Sequence, residues 1–118
     1  MPAEAFDQDA QDRERGRVRM LNGSLKGGME DWTMSLAQYE PVRELILEII
    51  ENYADDDGTV LLRDMVDIVQ DRLGSHPAFP GRRLRNYTTY TKVDLEARRL
   101  IERVPGASPQ RLRRASPG

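Results

Sequence analysis

What most limits the folds open to this chain is an apolar stripe that begins abruptly after Pro41. Val42, Leu45, Ile46, Ile49, Ile50 and Tyr53 recur at the i, i+3, i+4, i+7, i+8 and i+11 spacing of one helix face. A helix marked in this way must bury that face, so the rest of the domain has to cover it. Pro41 suits the first helical position, where its missing N–H would have no partner, and Glu40 and Glu44 lie near the positive end of the helix dipole. Asp55-Asp56-Asp57-Gly58 ends the helix, and Thr59-Val60-Leu61 reads as a short extended segment. A second helix is expected from Leu62 to Leu73, with Leu62, Met65, Val66, Val69 and Leu73 on one face. The stretch from Gly74 to Gly81 is a loop dense in breakers, and a third helix is expected from Arg83 to Arg98, a span without Gly or Pro. Leu100–Val104 and Gln110–Arg114 flank Pro105-Gly106-Ala107-Ser108-Pro109 and read as a hairpin. The expected class is mainly α with a small β-hairpin.

Composition locates what lies outside that core. Hydrophobic residues make up 38% of the chain and charged ones 32%, and mean hydropathy is -0.68. The deficit falls in residues 1–38, where Phe6, Met20, Leu21, Met29, Trp32, Met34 and Leu36 are too scattered for a core. Residues 1–38 are therefore read as a flexible N-terminal arm, with the Trp32–Leu36 end docking on the domain; Met20, Met29 or Met34 could each be the start codon. The domain is read as residues 39–114 and a disordered tail as residues 115–118. The absence of Cys excludes disulfides, thiolate catalysis and Cys-ligated zinc, and a single histidine, His76, excludes a multi-His metal site. Asp55-Asp56-Asp57-Gly58 fails as a calcium loop: with Gly58 at position 6, Tyr53 stands where a carboxylate is needed. Ser75-His76 has no nucleophile-elbow motif around it, and Gly27-Gly28 lacks the strand and helix of a phosphate cradle. No enzyme activity, cofactor or metal is expected. No apolar run approaches the roughly 18 residues of a membrane span, so a cytoplasmic protein without membrane contact is expected.

The formal net charge of -2 hides a strong asymmetry. Residues 1–74 carry 8 basic and 17 acidic side chains, a net of -9; residues 75–118 carry 10 basic and 3 acidic, a net of +7. Such a gradient points to an anionic partner for the second half.

The element order, together with Leu95-Glu96-Ala97-Arg98-Arg99-Leu100-Ile101-Glu102-Arg103, resembles a winged helix-turn-helix domain. The Tyr90–Arg98 stretch, Val104-Pro105-Gly106 and Pro109-Gln110-Arg111 are similar to a small uncharacterised bacterial branch of that superfamily. The resemblance covers about two-thirds of the chain. It implies a supporting helix at 62–73, a recognition helix at 83–98 and a wing at 101–114, with a duplex-DNA-binding regulator as the expected role and a homodimer as the family-level expectation. There are two departures: Arg99 stands where the family has Gly, and the loop of residues 74–82 is long for the turn of a helix-turn-helix.

On that reading Arg83, Arg85, Asn86, Thr89 and Lys92 of the third helix, with Arg111 and Arg113 of the wing, are the candidate DNA contacts. Arg pairs bidentately with guanine and Asn with adenine, while the wing arginines would meet phosphate or the minor groove. One register turns Leu84, Thr88, Thr91 and Leu95 inward; a competing one buries Tyr87, Tyr90, Ala97 and Ile101. Arg85 and Lys92 are outward in both. Over residues 39–118 basic and acidic residues number 13 each, so a protein-interaction module without DNA contact is the alternative, with Phe79, Val93 and the Tyr pair at its interface. A continuous positive surface of Arg85, Lys92, Arg111 and Arg113 is what separates the two.

Overall fold

The computed structural model describes residues 11, 13–19, 33–81 and 83–115. Strands β1 (Arg17–Arg19) and β2 (Thr33–Ser35) form an antiparallel ribbon with Val18 opposite Met34. Helix α1 (Leu36–Asn52) leads through a tight turn into β3 (Val60–Leu61) and helix α2 (Leu62–Leu73). Helix α3 (Arg85–Ala97) is followed by β4 (Ile101–Arg103) and β5 (Arg111–Arg114). Among the described residues the fold is thus three helices with two small antiparallel sheets, the second in the order β3-β5-β4.

The stripe on α1 does what its spacing requires. Val42, Leu45, Ile46, Ile49 and Ile50 are buried against Met65 and Val69 of α2, Leu84 and Leu95 at α3, and Ile101 and Leu112 of the sheet. Tyr53 is the exception. It caps the C-terminal end of α1 and is 47% exposed. The turn after it is closed by Gly58, at φ 78°, whose N–H donates to the Asp55 carbonyl at 2.8 Å. Leu112 of the central strand β5 lies opposite both Val60 and Arg103 and is fully buried.

Two expectations are corrected. Helix α1 starts at Leu36, not at Pro41, which lies inside it. Pro41 removes one backbone bond there, but the extra turn carries Tyr39, which is fully buried, and that burial outweighs the local preference. Residues 17–19 and 33–35, expected within a flexible arm, are strands instead. Val18 and Met34 form a second core cluster with Tyr39, against which Leu36 and Tyr87 pack. Among the described side chains each strand contributes one that is buried, Val18 and Met34, too little for periodicity to reveal. The expectation of a flexible arm for residues 1–10, 12 and 20–32, including Trp32, and of a tail for residues 116–118, lies outside the described residues.

The third helix ends in a Schellman turn. Leu100 N–H donates to the Leu95 carbonyl and Arg99 N–H to that of Glu96, both at 3.0 Å. This geometry demands a left-handed residue, and Arg99 supplies it at φ 62°. A non-Gly residue there costs roughly 1–2 kcal/mol, offset in part by the entropy Gly loses on folding. Arg99→Gly is expected to raise stability by roughly 0.5–1 kcal/mol. Urea titration checks it; an unchanged or lowered midpoint would show that the Arg99 side chain makes a compensating contact.

Candidate functional site

The register of α3 decides which residues face outward. Leu84, Thr88, Thr91 and Leu95 are buried, as the first of the two registers expects, while Tyr90 is 41% exposed and the competing register fails. Asn86, Thr89, Tyr90, Val93 and Ala97 share the outward face by helical spacing and are exposed or half-buried. That face carries no charge. Arg83 and Arg85 are exposed at the N-terminal end of the helix. Thr89 is half-buried and its Oγ1 donates to the Arg85 carbonyl at 2.9 Å, so the backbone already occupies its hydroxyl proton.

Lys92 is not on the surface. It is 2% exposed, its Nζ donates to Gln110 Oε1 at 2.8 Å, and the ammonium lies 3.2 Å from Glu96 Oε1. Burial pulls its pKa down, opposed by the Glu96 charge. Lys92 borders the inward stripe, on the flank that the β4–β5 connection covers. Helical spacing alone contains nothing about that connection. The lysine therefore ties α3 to the hairpin instead of facing a ligand.

The cations of the β4–β5 hairpin are each matched by a carboxylate. Arg111 Nη1 donates to Asp55 Oδ2 at 2.8 Å and to Thr59 Oγ1 at 3.1 Å. Arg113 Nε donates to Glu102 Oε1 at 3.0 Å, Arg103 lies 3.5 Å from Glu96, and Arg114 lies 3.8 Å from Glu51. At the hairpin the positive excess of the second half is thus reduced, in part by Asp55 and Glu51 of the first half folded against it. Arg85, Lys92, Arg111 and Arg113 do not form one continuous free positive surface. Among the described residues, Arg83 and Arg85 make no ion pair. Phe79, expected at an interface, is fully buried and meets Tyr87 edge-on at 5.1 Å. The loop that carries it is pinned by Gln38 Nε2, which donates to the Ala78 carbonyl at 3.0 Å. Asp57 accepts from Thr59 N–H and Oγ1, and these bonds hold its carboxyl below the usual range.

Sequence reasoning missed one polar cluster altogether. The Tyr39 hydroxyl donates to Asp94 Oδ2 at 2.5 Å, and Arg98 Nε donates to the same oxygen at 2.8 Å. Tyr39 is fully buried and Asp94 is 1% exposed. Arg13 and Arg98 lie over the tyrosine ring at 5.7 and 6.0 Å, and Arg13 also pairs with Glu40 at 3.2 Å. The i, i+4 spacing of Asp94 and Arg98 was a usable signal; the tyrosine 55 positions away from Asp94 had none. The cluster fastens α1 and the segment before β1 to the C-terminal end of α3.

Burial, with the neighbouring Asp94 charge, pushes the Tyr39 phenol well above its ordinary pKa. The unfolded chain loses that proton near pH 10 while the folded chain keeps it, so stability falls as pH rises above about 10. Lys92 acts in the opposite sense, because its lowered pKa lets the folded chain release a proton first. Tyr39→Phe isolates the first contribution. Its loss of stability relative to the wild type is expected to shrink between about pH 9 and 11, measured by urea titration at each pH. A pH-independent difference would place the phenol in ordinary contact with solvent.

Among the described residues no helix is long and apolar enough to cross a membrane, and no three His, Asp or Glu side chains are grouped to hold a metal. Compared with known families, residues 17–112 match a family of unknown function, DUF6958. The chain belongs to the DUF6958 family. No curated protein and no solved structure matches it. The matched span starts at the first residue of β1 and ends within β5, so both strands of the ribbon lie within the DUF6958 region.

Proposed function

We propose that this DUF6958 chain is a winged-helix module that engages a protein partner through the outward face of α3, without reading duplex DNA. The order α1-β3-α2-α3-β4-β5 and the sheet order β3-β5-β4 support the winged-helix reading. The observation that carries the functional half is the local pairing of the cations a DNA surface would need. Affinity for duplex DNA comes largely from free Lys and Arg displacing counterions from phosphate. Here Lys92 is buried, and Arg103, Arg111, Arg113 and Arg114 each sit beside a carboxylate. The outward face instead offers Tyr90, Val93 and Ala97, with Leu100 38% exposed beyond the helix end. Exposed aromatic and aliphatic side chains on an uncharged helix face suit a protein interface.

A second reading has one observation in its favour. Arg83, Arg85 and Asn86 are exposed together at the start of α3, and neither arginine has an ion-pair partner among the described residues. A DNA-binding regulator would use these residues, leaving the wing aside. Mobility shift on random duplex DNA separates the readings. No retardation is expected at roughly 50 mM salt, where electrostatic contacts are strong. Retardation that weakens steeply with salt, and about tenfold on Arg85→Ala, would overturn the protein-module reading in favour of DNA.

A further inference from the structure

One open groove lies apart from the α3 face. It encloses about 290 Å³ between the end of α1, β3 and the first two turns of α2. Val60, Leu61 and Ile68 make an apolar floor, and Tyr53, Asp64 and Asp67 line its rim. Asp55, also at the rim, is held by Arg111, and the Tyr53 ring and hydroxyl are held by Arg72. Asp64 and Asp67 make no ion pair among the described residues. A long side chain with an aliphatic stem and a cationic head fits such a groove: the stem covers the floor and the head meets the two carboxylates.

We propose that the groove receives the arginine-bearing start of α3, Arg83 and Arg85, from a second copy of this chain. The charge complementarity lies within the molecule itself. Arg83 and Arg85 are exposed, lack ion-pair partners among the described residues, and are presented by a fixed element, because Leu84 N–H donates to Gln70 Oε1 of α2 at 2.8 Å. In one chain the arginines and the groove do not pair with each other. Between two chains, each pair of guanidinium groups meets Asp64 and Asp67. This contact does not involve the outward face of α3 and does not depend on the function proposed above.

Sedimentation velocity on the full chain tests it, at roughly 50 and 500 mM salt, across a span in which the Debye length falls from over 10 Å to a few Å. The wild type is expected to associate in a concentration-dependent way at the lower salt and to dissociate at the higher. Asp64→Arg/Asp67→Arg and Arg83→Glu/Arg85→Glu, both at surface positions, are each expected to weaken association about tenfold or more. Circular dichroism of each variant verifies its fold. An equimolar mixture of the two variants is expected to associate again, because opposite charges then face each other across the contact. A wild type that stays monomeric at both salts would overturn the proposal. So would association that survives both double substitutions, or folded variants that do not recover on mixing. The measurement contains no DNA, so its failure is distinguishable from failure of the protein-module reading.

Discussion

Asp94→Ala is expected to be the most destabilising single substitution at the polar positions of this domain, at about 3–5 kcal/mol. Asp94 is 1% exposed and serves as acceptor for both the Tyr39 hydroxyl and the Arg98 guanidinium. Removing it takes that acceptor from a buried phenol and the Asp94 carboxylate from a guanidinium that is 11% exposed. Typical domains have about 5–15 kcal/mol in total, so a large share of the stability goes. The midpoint of thermal unfolding, followed by circular dichroism, is expected to fall by more than about 10 °C. Asp94→Asn retains an acceptor and loses only the charge, so it should fall between. Tyr39→Phe removes one hydroxyl and should cost about 1 kcal/mol. A cost for Asp94→Ala no greater than that of Tyr39→Phe would mean that Arg98 finds solvent in place of the carboxylate.

The second large effect separates two roles for Lys92. Lys92→Ala is expected to cost about 2–4 kcal/mol, because it removes a buried stem of Met-like length along with the bond to Gln110. Glu96 would keep Arg103 at 3.5 Å on Oε2, while its buried Oε1 would lose the ammonium beside it. Lys92→Met preserves the stem and is expected to cost less than Lys92→Ala, because it leaves no cavity. Chemical denaturation of the two variants tests the ordering. If Lys92 instead served to touch an anionic ligand, both substitutions would leave stability nearly unchanged and reduce binding alike. Equal and small stability changes would thus refute its role as a buried tie between α3 and the hairpin.

How much could be read in advance varied by element, for physical reasons. The face of α1, the short β3, the extent of α2 and the final hairpin were legible because each carries its own signal: a full apolar stripe, or strands bounded by Gly and Pro. The Arg99 position was legible as a conflict, and the left-handed φ shows how it resolved. The start of α1 was not. Pro41 looks like a beginning, and only the tertiary burial of Tyr39 extends the helix past it. The β1–β2 ribbon offered one apolar residue per strand, and those strands are separated by residues 20–32 in the sequence. For the candidate site, helical spacing placed Arg85 and Asn86 correctly on the outside. It failed for Lys92 because the element that covers that lysine arrives from residue 110, beyond the reach of any local pattern. The charge sum failed similarly: Asp55 and Glu51 from the acidic half neutralise Arg111 and Arg114 from the basic half.

The position of β5 sets an order of events for a chain being made. It is the middle strand of the sheet, yet the last of the three to be synthesised, with Leu112 closing against Val60 from 52 positions away. Until it emerges, β3 and β4 have no neighbour in common, and Ile101 and Val60 lack the side chain that joins them in the core. Helices α1 and α2 can form earlier, but the sheet closes only when that distant pairing is made. Such long-range closure slows folding relative to a purely helical bundle. During that interval the part of the α1 face that Leu112 covers stays open, and exposed apolar surface of this kind makes a partly folded chain prone to aggregate.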